Sequence, residues 1–533
     1  MGRRTRTITA GRHRGSDGGR GRRQRIVLTA AGTAVAALAV YGTASAVVGG
    51  STEAEGSQAA EATASETADA AKESTAASAA PQAAGDTAEA TAKSGTTAEA
   101  TKQSTTAAAT RSLAARITTT TVTLPAKLTY LSAGYNSTKE WTRTVTAVAP
   151  NGTRRVAWPA SDGVHVTTLT ASGARSGKDI VVKGAKEVGG LVAHNDGFAL
   201  LTRVPDTNKW KETAAAIVRW KTGATKAAWT RKLTGTASHD TSPVLDGQLA
   251  WNGTKYGAYF VVHGAGGAAD GHFGDKLAYV SGSGTRLGGG WDWGCSHNEG
   301  IALHAEKSGA FTSLCHDDWR SGLMVSTGIG APDNAPVVQR EQCWAGYCGG
   351  TFAGRTGEIV KNASTGRYVT AYASRGTASA KKNPDDASGR GWTVTPKWKT
   401  HQVTVAFLKN RSTLSGKPVH LTSAPGTEHV NVHVAPYGKN KLLLSWESLK
   451  NATCANGTCT GTFTGTHMRL IDWNGTFLGA DKVVTSRIAG DIAVLPDGDL
   501  TWAYAAATPD YRTTLTGSSP TTTKLTVARL DVS

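Results

Sequence analysis

The sequence predicts an all-β protein, a seven-bladed β-propeller closed by an N-terminal strand. First, from residue 117 onward the chain consists of threonine- and valine-rich segments separated by Gly, Asn and Asp turns, a composition that favours strands. Second, one strand–turn–strand phrase recurs seven times at similar intervals. Third, a single strand remains after the seventh copy, so the last blade lacks an outer strand that the start of the chain is placed to supply.

The repeated phrase is two short apolar runs joined by a glycine-containing turn. The seven copies cover residues 145–158, 191–201, 249–260, 301–315, 359–372, 432–446 and 492–504. Their turn glycines lie 45, 56, 56, 57, 72 and 60 residues apart, and a spacing of this size is typical of propeller blades. Identity between the copies is low, so a pair of β-sandwiches remains an alternative.

The two irregularities in the pattern have simple interpretations. Residues 117–124 form an orphan strand, which is expected to pair with the last strand, residues 524–532, and so close the ring. The 72-residue interval contains an insertion at residues 374–396 that is rich in Lys, Gly and Asp. We expect this insertion to be a surface loop.

Residues 1–46 have the three parts of a secretory signal peptide. An arginine-rich start is followed by the apolar run 26–40 and by small residues that end at Ala46. The apolar run is shorter than the roughly 20 residues of a membrane span, although an extension through Val48 leaves an uncleaved anchor as an alternative. We expect Sec-type export with cleavage near Ala46, a secreted protein and no stable membrane span after processing.

Residues 47–116 are almost entirely Ala, Thr, Ser, Glu and Gly. Such a segment buries too little apolar surface to offset the entropy of ordering it, so a disordered spacer is expected. The propeller then occupies residues 117–533.

The formal charge of +18 is unevenly distributed along the chain. Residues 1–25 contribute +8 and residues 47–110 contribute −6, so the remainder from Arg111 carries +16 (18 − 8 + 6). A basic β-rich body could bind phosphates or teichoic-type polyanions, and the alternative is that its charges simply face water. It contains neither a basic cluster interleaved with aromatic residues nor a known nucleic-acid-binding signature, so nucleic acid is not an expected partner.

Six cysteines follow residue 294, and none forms a C-x2-C pair. A zinc site is therefore not expected, and an even number behind an export signal favours disulfides. Proximity in sequence favours a disulfide between each cysteine and its nearest neighbour in the chain, although fifteen connectivities are formally open. The expected pairs are Cys295–Cys315, Cys343–Cys348 and Cys454–Cys459.

Polar residues precede several of the predicted first strands and would ring the channel mouth of a propeller. They are Asp246, Asn298, Glu299, Glu358, Asn431 and Asp491. An acidic ring could take a sugar, a cation or the basic tail of a partner, whereas the alternative is ordinary solvation of a water-filled channel. We expect these side chains to face channel water, so that removing them affects binding more than stability.

A second candidate site combines aromatic and acidic side chains around the fourth copy. Its members are Trp291, Trp293, His297, Asp317, Asp318, Trp319, Trp344 and Tyr347. Exposed aromatic faces stack on sugar rings while carboxylates bind sugar hydroxyls. The alternative is that the tryptophans pack between blades and His297 is structural. A calcium site at Asp317 and Asp318 is not favoured, because no D-x-D-x-D-G loop surrounds them.

No catalytic motif is recognisable, so an enzyme and a bound cofactor are not expected. The chain lacks a sialidase-type S-x-D-x-G-x-T-W box and a G-x-S-x-G nucleophile motif. The alternative is a secreted glycoside hydrolase that uses paired channel carboxylates.

At GHFGDKLAYV, GGWDWGCSHN and LPDGDLTWAYA the chain resembles secreted β-propeller proteins of actinobacteria, and it is similar to the lectin-like propeller subunits of Streptomyces umbrella toxin particles. The resemblance covers residues 118–533. It implies a seven-bladed lectin that displays binding sites for cell-surface glycans on an antibacterial particle and docks to it through a small secreted adaptor protein. It implies no catalytic residue.

Overall fold

The computed structural model describes residues 112–129, 144–207, 209, 211–235, 241–242, 245–264, 273–295, 302–317, 322–325, 337–341, 357–384, 392–455, 458–505 and 522–533. The chain divides into two units, residues 1–103 and 104–533, and every described residue belongs to the second. The predicted signal peptide and nearly all of the predicted spacer lie outside the described residues. Among those described, no helix is long and apolar enough to span a membrane.

Nearly all regular structure in the described chain is β, with one short 3-10 turn at Ala114–Arg116. The strands of the first half are β1 (Ile117–Leu128), β2 (Val145–Val148), β3 (Arg154–Ala160), β4 (Gly163–Leu169), β5 (Ile180–Lys183), β6 (Lys186–His194), β7 (Gly197–Val204), β8 (Ala214–Lys221), β9 (Trp229–Lys232), β10 (Gly247–Trp251), β11 (Lys255–His263), β12 (Phe273–Ser281) and β13 (Arg286–Asp292).

The second half continues the same alternation of short strands. These are β14 (Ala302–His304), β15 (Thr312–Asp317), β16 (Gly322–Val325), β17 (Val337–Arg340), β18 (Ile359–Lys361), β19 (Tyr368–Ser374), β20 (Thr377–Lys382), β21 (Trp392–Pro396), β22 (Gln402–Asn410), β23 (Thr413–Leu414), β24 (Val419–His420), β25 (Glu428–Tyr437), β26 (Lys441–Ala455), β27 (Thr458–Asp472), β28 (Phe477–Val484), β29 (Ala493–Val494), β30 (Leu500–Ala505) and β31 (Thr522–Leu530).

The strands form antiparallel sheets that follow each other in chain order. Four sheets have four strands each, β6–β9, β10–β13, β14–β17 and β25–β28. A fifth contains β18, β19, β22, β23 and β24, and an eight-stranded sheet contains β29, β30, β31 and β1 to β5. Strands β20 and β21 make a separate hairpin.

The sheets form a propeller-like ring through their first strands. Contacts join β2 to β6, β6 to β10, β10 to β14, β14 to β18, and β18 to β25. Strand β29 contacts β2, and a buried cluster that includes Tyr437 and Trp502 packs β25 and β26 against β30 and β31. Consecutive sheets therefore bury apolar faces against each other around the ring.

The predicted closure by the start of the chain is confirmed. Strand β1 pairs antiparallel with β31, from Ile117 opposite Leu530 to Thr123 opposite Lys524. The strand is four residues longer than predicted, and its last residue, Leu128, also pairs with Ala160 of β3. Pairing of β1 with β31 covers an edge that would otherwise remain open.

All seven predicted strand–turn–strand phrases are antiparallel pairs in the structure. The turn glycines adopt positive φ angles, for example 72° at Gly309 and 92° at Gly498, which glycine reaches without the steric penalty of a Cβ atom. Second strands are buried on both faces, as predicted for residues 256–260 of β11. We call the edge of the ring that carries these turns the turn edge. The opposite edge is called the cleft edge, because a cleft lined by residues such as Lys397 and Thr453 lies there.

One local prediction was wrong. Residues 374–396 are not simply a loop, because β20 and β21 pair across residues 377–382 and 392–396. The predicted cysteine pair 454 and 459 lies near the end of the long hairpin of β26 and β27, in which the two cysteines are directly opposite.

Candidate functional site

The structure places three of the predicted mouth residues directly before or close to the start of a first strand. Asp246 and Glu358 directly precede β10 and β18, and Asp491 lies two residues before β29. Asn431 lies inside β25 instead, at an irregularity between Val430 and His433 where its φ angle is 52°. Asn298 and Glu299 lie outside the described residues.

Glu358 connects three neighbouring segments of the ring. Its Oε2 accepts a hydrogen bond from the backbone N–H of Val434 at 3.1 Å, and its Oε1 accepts one from Ile492 at 3.4 Å. Oε1 also lies 3.1 Å from His433 Nδ1. The expectation that this carboxylate simply faces channel water is therefore wrong. Its two oxygens accept hydrogen bonds from backbone N–H groups in β25 and directly before β29.

Asn431 is similarly occupied by the protein. Its Nδ2 donates to the carbonyl oxygen of Ile488 at 2.6 Å and to Glu447 Oε1 at 3.3 Å. Its Oδ1 lies 3.0 Å from His433 Nε2. Glu447 is buried and paired with Arg487 at 2.9 Å, so this part of the mouth is a satisfied polar network.

Of the remaining described mouth residues, Asp491 contacts another sheet and Asp246 is buried. Gln248 Nε2, on β10, donates to Asp491 Oδ1 at 3.3 Å, a contact between sheets that are not neighbours in the chain. Asp246 is only 2% exposed. The structure thus brings Glu358, Asn431 and Asp491 together as predicted, but mostly as side chains that bind other parts of the ring.

The second predicted site is described only in part. Trp291 is 8% exposed and packs with Tyr259, Leu277 and Phe311, which matches the alternative of a packing residue. Trp293 has a φ angle of 58° and packs on the core between β7 and β11. Asp317 ends β15. His297, Asp318, Trp319, Trp344 and Tyr347 lie outside the described residues.

The structure confirms one predicted disulfide and shows that one cysteine of a second predicted pair is bonded. Cys295 and Cys315 are bonded, with their Cα atoms 6.4 Å apart. Cys454 is also disulfide-bonded, and the strand register places Cys459 opposite it. Cys343 and Cys348 lie outside the described residues.

One group of potential metal ligands occurs in the part of the chain that the structure describes. Ligand atoms of Asp275, Cys295 and Cys315 lie within 4.8 Å of each other. Both sulfurs are used in the disulfide, and Asp275 Oδ1 accepts the backbone N–H of Cys295 at 2.9 Å. The arrangement is therefore a structural anchor of the disulfide, since a sulfur in a disulfide is not a thiolate ligand.

A cleft that sequence reasoning missed lies at the cleft edge. It has a volume of about 520 Å³ and is bounded on one side by the base of the β20–β21 hairpin and on the other by the end of β26. Its lining residues are Arg375, Pro396, Lys397, Trp398, Lys399, Thr400, Ala452, Thr453 and Cys454. The β20–β21 hairpin is additional to the sheets of the ring, and β26 and β27 are 15 residues long each.

The cleft combines positive charge with an aromatic ring. Lys397 and Lys399 are exposed, and the Lys397 Nζ lies 4.5 Å from the centroid of the Trp398 ring. Trp398 packs edge-on to His420, with ring centroids 4.7 Å apart. Burial and the nearby Lys397 lower the pKa of His420 to about 4, so this histidine adds no positive charge near neutral pH.

Backbone geometry holds Trp398 in place. Gly376 has a φ angle of 64°, and a Cβ atom added there would lie 2.6 Å from the indole ring. The N–H groups of Lys397 and Trp398 both donate to the carbonyl oxygen of Arg375 at 3.0 Å. A glycine at residue 376 therefore lets the indole ring lie against the backbone.

Directly beneath the cleft lies a buried network of charged side chains. Glu341, His401 and Glu428 are each completely buried. Glu428 Oε1 lies 2.6 Å from His401 Nδ1, and its Oε2 accepts the backbone N–H of His401 at 2.7 Å. Glu341 accepts the backbone N–H of Arg375 at 3.3 Å and a short hydrogen bond from Ser374 Oγ. Completely buried charged side chains are tolerated in a folded protein only when each one has a partner.

The cleft was not predictable from the sequence pattern. The signals were the run KWK at residues 397–399 and the insertion before it, but the wall at residues 452–454 comes from another sheet. Nothing in the repeat spacing shows that the two hairpins face each other.

Comparison with known proteins does not assign a family. No protein-family model and no curated protein matches the chain. Among solved structures, a Dyadobacter fermentans protein of unknown function is 8% identical, with 76% of this chain and 99% of that chain covered and a TM-score of 0.35.

Two enzymes are similar to the same extent. A Trypanosoma rangeli sialidase is 11% identical over 67% of this chain and 59% of its own, with a TM-score of 0.33. A Penicillium chrysogenum α-L-arabinanase is 12% identical over 76% and 99%, with a TM-score of 0.32. Similarity at this level carries no argument about this chain.

Proposed function

We propose that the protein is a secreted, non-enzymatic, lectin-like β-propeller that binds anionic cell-surface glycans or polymers in the cleft beside Trp398. The observation that supports this proposal most is the arrangement of Arg375, Lys397 and Lys399 around one indole ring in a cleft of about 520 Å³. Ligand sites of a few sugar units commonly have volumes of this order. Cations bind carboxylate, sulfate or phosphate groups, and the indole offers an apolar surface to a sugar ring.

The proposal includes seven blades. The eight-stranded sheet contains two groups of four strands, β2–β5 and β29–β31 with β1. They are joined through the pair Leu128 and Ala160. Counting these groups separately, together with the other five large sheets, makes seven blades, and β1 then serves as the outer strand of the last one.

Strands β1 and β31 meet next to the edge opposite the cleft. Ile117 pairs with Leu530 next to the turn edge, and Arg116 Nη1 donates to the carbonyl oxygen of Ser533 at 2.5 Å. An export signal with cleavage near Ala46, and an adaptor-mediated place in an antibacterial toxin particle, complete the proposal, with the cleft facing competing bacteria.

Glycan binding is tested with the secreted full chain on an array that includes acidic and neutral saccharides. Removing two cations, Lys397→Ala with Lys399→Ala, is expected to weaken binding about tenfold or more, since one charge-assisted hydrogen bond is worth about 1.5 kcal/mol or more. The matched control is Lys439→Ala with Lys441→Ala, two exposed lysines of the same spacing at the turn edge.

Equal binding by both double variants would overturn the cleft as the site. Release of shorter saccharides during the assay would instead favour the glycoside hydrolase alternative. Association with a particle is tested separately, by co-purification of other secreted proteins from the culture supernatant. Recovery of the propeller alone would remove the particle from the proposal without affecting the glycan-binding part.

A further inference from the structure

The buried network beneath the cleft connects three sheets to the ligand-binding surface. Glu341 follows β17, His401 precedes β22, and Glu428 begins β25. The network reaches the cleft through two lining residues, Arg375 and Thr400. Arg375 Nε lies 3.5 Å from Glu341 Oε1, and Thr400 is the residue before His401.

The charged and titratable groups that face the network all belong to these sheets. Glu341 interacts with Arg375, His401 and the completely buried Tyr372. His401 interacts with Glu428, Glu341 and Arg375, and it lies near His429. Cys454 Sγ lies 3.9 Å from Glu428 Oε2, but it is in a disulfide and does not titrate. The network therefore contains two carboxylates, one guanidinium and one imidazole that can carry charge.

We propose that this network makes anion binding in the cleft proton-linked, so that the protein takes up protons when the ligand binds and holds the ligand more tightly as the pH falls. The inference rests on the proposed function of the cleft and names its regulation. A bound anion beside Arg375 adds negative charge next to Glu341 and His401. That charge stabilises the protonated form of both groups, because the dielectric screening inside a protein is weak.

The pKa values of the two key groups are already raised in the free protein. Burial raises the pKa of Glu341, although His401, Ser374 and Arg375 oppose the shift. Burial alone would lower the pKa of His401, but the carboxylates of Glu428 and Glu341 outweigh it and raise that pKa above its ordinary value. The pKa of Glu341 is therefore higher than that of an exposed glutamate, and the pKa of His401 is higher than that of an exposed histidine.

The sign of the coupling follows from linkage. If ligand binding raises the proton affinity of Glu341 and His401, proton binding must raise the ligand affinity by the same factor. Affinity is therefore highest where both groups are protonated and declines as the pH rises through their pKa values. The cleft would bind anions most tightly in an acidified environment.

The test uses a ligand that does not itself titrate. Dextran sulfate oligosaccharides keep their charge across the pH range, so we expect their dissociation constant for the secreted full chain to fall about fivefold or more between pH 8 and pH 5.5, the lower end of typical site–site couplings. Calorimetry in buffers of different ionisation enthalpy should show net proton uptake on binding near neutral pH. This measurement needs no variant.

Two variants locate the source of the coupling. Glu341→Gln should reduce the pH dependence by at least about half, while binding at pH 8 persists, because the titrating carboxylate is replaced by an amide of the same shape. The matched control is Glu187→Gln, another buried carboxyl group, which is paired with Arg203 in the sheet β6–β9. The pKa of Glu187 is raised to about 7 by burial. Its removal should leave the pH dependence of ligand binding unchanged.

The outcomes separate the two proposals. Binding that is independent of pH and takes up no protons overturns the coupling and leaves the glycan-binding function intact. An unchanged pH dependence in Glu341→Gln, or an equal loss in Glu187→Gln, also overturns it. No binding of dextran sulfate at any pH, with no acidic saccharide bound on the array, contradicts the proposed function itself. If Glu341→Gln does not fold, proton uptake by the unaltered protein decides.

Discussion

The two edges of the ring differ in how their polar groups are arranged. At the turn edge, neutral amide groups join the turns of successive sheets: the N–H of Asn151 donates to Asn195 Oδ1 at 3.0 Å, and Asn252 Nδ2 donates to the carbonyl oxygen of Glu306 at 3.0 Å. At the cleft edge, completely buried charges such as Glu341 and Glu428 support a basic surface. One edge is joined by neutral hydrogen bonds between turns, whereas the other is joined by buried charged groups.

The largest expected difference between the edges is in the effect of losing a carboxylate. Glu428→Leu removes both hydrogen-bond acceptors of the buried His401, so we expect a loss of about 3–5 kcal/mol in the free energy of unfolding. Asp196→Leu at the turn edge should change stability by about 1 kcal/mol or less, because its side chain is 59% exposed although it pairs with Arg219. Urea unfolding of both variants measures the contrast. Similar midpoints would show that burial of the network contributes little.

A smaller effect is expected from the disulfide beside the cleft. The loop between Cys454 and Cys459 is short, so its closure restricts the unfolded chain little and should be worth about 2 kcal/mol or less. Cys454→Ser should also weaken ligand binding, because Cys454 lines the cleft wall. Peptide mapping checks the pairing first, and a bond from Cys454 to any other cysteine would refute it.

Turn glycines should have a still smaller and purely local effect. Gly309→Ala and Gly498→Ala place a Cβ atom where no other atom lies within 4 Å, so the cost comes from the positive φ angle alone, about 1 kcal/mol each. Thermal unfolding measures the loss, and saccharide binding at the cleft edge should not change. Altered binding in these variants would show that the two edges are coupled.

The smallest effect is a difference in titration between histidines of the two edges. His194, at the turn edge, has its pKa lowered to about 4 by burial and by Arg219. Because the native state resists protonation there, stability is lost as the pH falls from 6.5 towards 4. His401 has a raised pKa, so its contribution is complete below about 6.5 and is lost as the pH rises through the folded-state value. NMR titration of the imidazole signals tests both signs. A His401 that is neutral at pH 6 would contradict the charged network.

Much of the fold could be predicted from the sequence, because it depends on local chemistry. Glycine turns such as those at Gly309 and Gly498 require a backbone conformation that few other residues adopt, and alternating strands follow from side chains on opposite faces. The closing strand was also predictable, since one strand was missing at the end of the chain and one was left over at its start. These features need only neighbouring residues or a count of repeats.

The candidate site is different, because only the tertiary structure brings its parts together. Sequence position correctly suggested that Glu358 and Asp491 lie at one edge, but not that Glu358 binds the backbone of Val434 and Ile492. Similarly, residues 397–399 and 452–454 are more than 50 positions apart, and only the packing of two sheets makes them walls of one cleft. Local sequence determines turns and strands through backbone geometry. The charges beneath the cleft are matched across three sheets, so their partners are decided by how those sheets pack.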